Sequence, residues 1–138
     1  MICTFFGHAD APEHIRAALF DAIVRLVEGG VTTFYVGNHG NFDRMAATEL
    51  HRAQAQFPHV VCICVLAYFP TQKASVLETV FPEEVATAPK RFAICYRNRY
   101  MIQRSDFVIA YVKRKTGGAA KCVAEAKRRG CCIVNLSK

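Results

Sequence analysis

The chain predicts an α/β fold, a three-layer sandwich with helices on both faces of a mainly parallel sheet of about five strands. Three observations predict it. Short β-branched and aromatic runs alternate with stretches of helical periodicity through the 138 residues. The apolar run at residues 60–66 is continuous rather than alternating, as in a strand covered on both faces. Most of these runs end at a glycine-bearing loop that feeds a helical stretch, the order that right-handed β-α-β crossovers produce.

The elements follow in sequence. Residues 2–6 form the first strand, stopped at Gly7. Asp10 stands as a candidate N-cap and Pro12 as a first-turn residue of a helix whose buried face carries Ile15, Ala18, Leu19, Ala22, Ile23, Leu26 and Val27. Gly29 and Gly30 end that helix. Residues 32–36 form a second strand, and from Asp43, a second candidate cap, a helix runs to about Phe57, with Pro58 closing it. After the strand at 60–66, residues 67–90 hold prolines and little periodicity and read as a long excursion with one short helix. A helix at about 92–104, a strand at 106–112, a helix at 119–129 and a last strand at 131–135 complete a Rossmann-like pattern in one domain spanning 1–138.

Composition narrows the function classes. A hydrophobic fraction of 52% with 21% charged residues excludes a disordered chain. No apolar run is long enough to cross a bilayer, and the first residues lack a basic region and a small-residue cleavage site, so a cytoplasmic protein without membrane contact is expected. The seven cysteines are odd in number and show no CxxC spacing. They predict free thiols in a reducing compartment, no structural metal and no cofactor. Charge is uneven. Residues 1–89 carry five Lys/Arg and nine Asp/Glu, a balance of −4, while residues 90–138 carry thirteen Lys/Arg with only Asp106 and Glu125, a balance of +11. The second half is expected to face an anion.

Ligands of parallel sheets sit beyond the carboxyl ends of the strands. The loops there carry Gly7 and His8 after the first strand and Gly37, Asn38, His39, Gly40 and Asp43 after the second. Tyr68, Phe69 and Pro70 follow the third run, and Tyr111 to Gly118 follow the fourth. Helix N-termini fed by glycine suit phosphate groups. No GxGxxG follows the first strand and no GxxxxGK[ST] occurs, so the ordinary dinucleotide fingerprint and the P-loop are absent. His8 and His39 have the chemistry of an acid/base pair, and Asp43 of a ribose-hydroxyl acceptor. Arg97 offers a guanidinium fork for phosphate, and Tyr111 a ring for stacking on a base.

These residues resemble the SLOG superfamily, named for its DNA-processing and cytokinin-activating branches, and within it the small YpsA-like proteins. The resemblance rests on Phe6-Gly7-His8, on Val36-Gly37-Asn38-His39-Gly40-Asn41-Phe42-Asp43, on Arg97-Asn98-Arg99-Tyr100-Met101-Ile102 before Ser105-Asp106, and on Thr116-Gly117-Gly118-Ala119. It implies a Rossmann-like sheet that binds nucleotides or their derivatives. Gly37, Asn38, Gly40, Thr116, Gly117 and Gly118 would line the phosphate and ribose side, with Arg97 and Asn98 at the rim. It also implies self-association. The chain departs from the PGGxGTxxE signature of the cytokinin-activating branch. Thr116 stands at the proline, Ala120 at the third glycine, Lys121 at the threonine and Ala124 at the glutamate, with Glu125 one position late. One residue turns a helical side chain by about 100°, so that hydrolase chemistry is not expected, and Lys121 becomes a candidate phosphate cation.

The sequence therefore predicts a module that senses or sequesters a nucleotide-derived small molecule and forms a homo-oligomer. The alternatives are a hydrolase of a nucleotide's glycosidic or phosphate bond, carried by His8, His39, Asp43 or Glu125, and a nucleic-acid-binding protein of the DNA-processing type.

Overall fold

The structure, a computed structural model, describes residues 1–69 and 76–137, so Pro70 of the predicted third loop lies outside the described residues. Six strands form one sheet: β1 (Ile2–Gly7), β2 (Thr33–Val36), β3 (Val61–Val65), β4 (Glu78–Val80), β5 (Phe107–Tyr111) and β6 (Cys132–Asn135). Their order is β4-β3-β2-β1-β5-β6 and every pair is parallel. The fold is the expected Rossmann-like α/β sandwich, with six strands rather than five. The extra strand, β4, lies within the stretch read as an excursion. Its three residues, Glu78-Thr79-Val80, pair with β3 at the sheet edge and are not buried, so they carry no hydrophobic pattern to find.

Helices cover both faces. On one lie α1 (Arg16–Glu28) and α2 (Gly40–Gln56), which present Leu19, Ile23, Phe42, Met45 and Leu50 to Cys3, Phe5 and Phe34 of the sheet. On the other lie α4 (Ala93–Arg104) and α5 (Gly118–Arg128), whose Met101, Ile102 and Ala126 pack on Phe6, Val108 and Ala110. Strand alternation sorts β1 between these cores: Cys3 and Phe5 enter the first, Phe6 the second, and Thr4 donates to the Tyr35 carbonyl (2.9 Å) and sits 3.5 Å from Met101 Sδ. The short α3 (Glu83–Ala86) follows β4.

Two cap expectations are corrected. The first helix begins through a one-turn 3-10 segment, Glu13–Ile15, capped at Pro12, and exposed Asp10 instead pairs with Arg114 at 3.0 Å. The second begins at Gly40 with His39 at its cap, so Asp43 lies inside the first turn and its carboxylate accepts the His39 N–H at 3.0 Å. Among the described residues no cysteine is joined in a disulfide. Among the described residues no helix is long and apolar enough to cross a membrane.

Candidate functional site

The chain moves outward from β1 through β2 and β3 to β4, then returns to the other side of β1 with β5. The order reverses between β1 and β5, and loops leaving such a pair diverge and open a crevice. A cavity of about 310 Å³ lies there. The β1 loop supplies Phe6, Gly7, His8 and Ala9 to its wall, α2 supplies His39 and Asp43, and α4 supplies Ile94, Arg97 and Asn98. The lining also includes Arg114, Thr116, Gly117, Gly118 and Ala119, with Cys122 one turn further along α5. This volume suits a small ligand.

Arg97 is the centre of the site. Only 2% of it is exposed. Its Nε donates to Asn98 Oδ1 at 2.8 Å, and Nη1 donates to Asn38 Oδ1 and to the Val65 carbonyl, both at 3.3 Å. Nη2 reaches His39 Nδ1 at 3.5 Å. Every one of these partners is neutral as an acceptor. No ion pair within 4.0 Å joins Arg97 to a carboxylate among the described residues. Burial pulls its pKa down, against the pull of Asp43. A buried cation without a paired anion is costly.

Asp43 lies beside it but not against it. A Cβ placed on Gly37 would stand 2.7 Å from Arg97 Nη1 and 2.9 Å from Asp43 Oδ2, so the missing side chain of Gly37 is what lets both charged groups settle there. Burial pushes the Asp43 carboxyl up to about 6, against the lowering effects of the His39 N–H and of Arg97. His39 is held below its ordinary value by burial and then by Arg97.

His8 also lines the cavity. Its Nε2 accepts the Lys113 N–H (2.9 Å) and the Arg114 N–H (3.2 Å), which fastens the β1 loop to the β5 loop. A nitrogen accepting two amides carries no proton, so the ring is neutral with its hydrogen on Nδ1. Burial, then Arg114, lowers its pKa in the same sense. On the same cavity α5 starts at Gly118 behind Gly117, whose φ of +99° and ψ of 175° only glycine adopts readily. No side chain caps this terminus, and the N–H groups of Gly118, Ala119 and Ala120 meet no acceptor among the described residues. Buried guanidinium and open helix N-terminus thus line one cavity, as an anion requires.

Of the predicted residues, Gly7, His8, His39, Asp43, Arg97, Asn98, Thr116, Gly117 and Gly118 line the cavity. Others support it from behind. Gly37 and Asn38 seat Arg97, and Gly40, at φ +89°, packs on Ala9. Tyr111 is buried with its ring edge-on to His8, so it is not free to stack on a base. Lys121 is exposed, and Glu125 pairs with Arg128 at 3.0 Å; neither lines the cavity. Sequence reasoning missed Phe6, Ala9, Ile94, Arg114, Ala119 and Cys122. Helical spacing would have found two of them: Ile94 lies three residues before Arg97, and Cys122 four after Gly118. Among the described residues no three of His, Cys, Asp and Glu gather as a metal ion would require.

No family model matches this chain, and no curated protein matches it.

Proposed function

We propose that the protein binds a phosphate-bearing, nucleotide-derived small molecule in the cavity at the β1–β5 switch point, acting as a sensor or sequestering module of the SLOG superfamily. The observation that carries this reading is the buried, charge-unpaired Arg97 on the wall of a cavity that an uncapped helix N-terminus also lines. The loop motifs shared with the superfamily support it, since Phe6-Gly7-His8 and Thr116-Gly117-Gly118-Ala119 both supply wall residues.

The arrangement favours binding over turnover. His8 spends its only basic nitrogen on two backbone amides, and Glu125 lies outside the cavity. A buried guanidinium, with open helix N–H groups lining the same cavity, suits a phosphate ester. The test is a thermal-shift panel of nucleoside mono- and diphosphates and sugar phosphates against the wild-type protein and Arg97→Gln. A true ligand at about 100 times its dissociation constant adds roughly 2.7 kcal/mol, a rise of about 8–10 °C for a chain of this size. The variant should stay folded and lose that rise. If millimolar concentrations of every compound leave the wild type unmoved, the reading fails.

A further inference from the structure

We propose that Asp43 is the specificity residue of this cavity and takes up one proton when an anion enters, so that the site binds an anion together with a proton rather than an anion alone. The inference rests on the anion site proposed above. Its basis is geometric. Asp43 lines the same cavity as Arg97, is nearly as deeply buried, and approaches the same point above Gly37 without forming an ion pair with the guanidinium. An anion seated by Arg97 therefore arrives next to a buried carboxyl group. A charged carboxylate would repel that anion across a poorly screened interior. The protonated carboxyl does not, and it gains an O–H that can donate to the guest. The proton comes from solvent, and no covalent bond changes.

The groups facing Asp43 decide which of them titrates. Its own turn contributes His39, through the backbone N–H, and the ring of Tyr68 from the end of β3 stands edge-on to that histidine at 6.0 Å. α4 contributes Arg97, α5 contributes Cys122, and β3 contributes Cys64, whose Sγ lies 3.9 Å from the Gly37 carbonyl. The β1 and β5 loops contribute His8 and Arg114 to the cavity lining. Cys122 is pushed up to about 11, and the two histidines are held below their ordinary values. Asp43, raised to about 6, is the one carboxyl group on the cavity wall among the described residues. Its free-state titration therefore falls where a bound anion can pull it across neutrality.

Sulfate is the probe, because its own charge is constant from pH 5 to 8. Calorimetric titration of the whole protein at fixed ionic strength should give a dissociation constant that is flat below about pH 5.5 and weakens about tenfold per pH unit above about 6.5. Asp43→Asn keeps a side-chain oxygen for the His39 N–H, and it should bind with little dependence on pH. At pH 7, titrations in two buffers of different ionisation enthalpy should show uptake of nearly one proton per sulfate in the wild type and none in the variant. In the wild type, the carboxyl carbon of Asp43, followed by NMR, should shift its titration midpoint upward when sulfate is added; this arm does not depend on the variant folding. A wild-type slope retained in Asp43→Asn would assign the proton to His39 and overturn the proposal. Sulfate binding that is flat with pH, or an Asp43 midpoint unmoved by sulfate, would also overturn it while leaving the anion site standing. Absence of sulfate binding at any pH in both proteins, together with a silent nucleotide panel, removes the anion site itself.

Discussion

Replacing Asp43 by Asn should stabilise the unliganded protein at neutral pH and leave its stability nearly unchanged near pH 4. The carboxyl is driven from 3.8 to about 6 by burial. A group whose folded pKa is raised favours the neutral form in the folded state. Its contribution is fully present below the unfolded value, near pH 4, and is lost as pH climbs through the folded value, near 6. Raising a pKa by one costs the charged form about 1.4 kcal/mol, so charging Asp43 inside the fold costs about 3 kcal/mol once pH passes about 7. The Asn variant avoids that cost and can still accept from His39. Urea unfolding of both proteins at several pH values between 4 and 8, in buffers free of phosphate and sulfate, measures the difference directly. The variant's advantage should grow by about 3 kcal/mol from pH 4 to 7 and then level off. A difference that is constant, or one in which the wild type gains on the variant as pH rises, would show that Arg97 ion-pairs with Asp43 strongly enough to outweigh desolvation, and the guanidinium would then not be unpaired.

Three further outcomes follow around the same cavity. Gly37→Ala sets a methyl group against Arg97 and Asp43 without backbone strain, and should cost about 2–4 kcal/mol and abolish anion-induced stabilisation. Gly118→Ala meets nothing within 4 Å and should leave stability within about 1 kcal/mol of wild type; equal tolerance of both changes in urea unfolding would rule out the packing at Gly37. For His8, nitrogen NMR should find the Nδ1–H tautomer at pH 7 and a midpoint below the ordinary histidine value. Because that pKa is lowered, the stabilisation it reports is present above about pH 6.5 and is lost as pH falls through the folded value. An Nε2–H tautomer would contradict the clamp.

The sheet was legible because its central strands are buried on both faces. Cys3-Thr4-Phe5-Phe6 and Val108-Ile109-Ala110 must be apolar almost throughout, and such runs announce themselves. β4 escaped because an edge strand of three residues owes its place to pairing with Ile63-Cys64-Val65 rather than to side-chain pattern. The glycine-rich loops were legible as loops, and the rule for parallel sheets gathered them at one edge. Roles within the site were harder to read. His8 and His39 look alike in sequence, yet two amides from a loop 105 and 106 residues away fix the tautomer of one, while the other faces a guanidinium. Asp43 reads as a cap, since aspartate at a helix start usually is one; only the position of Gly37 beneath it shows that it shares a buried point with Arg97.

The treatment of buried charge elsewhere in the molecule shows how the site is sustained. Glu49, 2% exposed, is fully paired: it meets Arg16 at 3.1 Å and also Arg52. The same chain therefore has the means to neutralise Arg97 with Asp43 and does not, although both lie within 3 Å of one point. Closing that pair would satisfy the guanidinium and remove its attraction for a guest. On the proposed reading, holding the two groups apart leaves the cation's charge available to an anion, at a cost in stability met by the surrounding cores. The separation is then the functional feature, and a substitution that lets the carboxylate reach the guanidinium, such as Asp43→Glu with its longer side chain, should stabilise the free protein while weakening anion binding. Parallel urea and sulfate titrations of that variant would expose the trade-off, and a gain in both quantities would refute it.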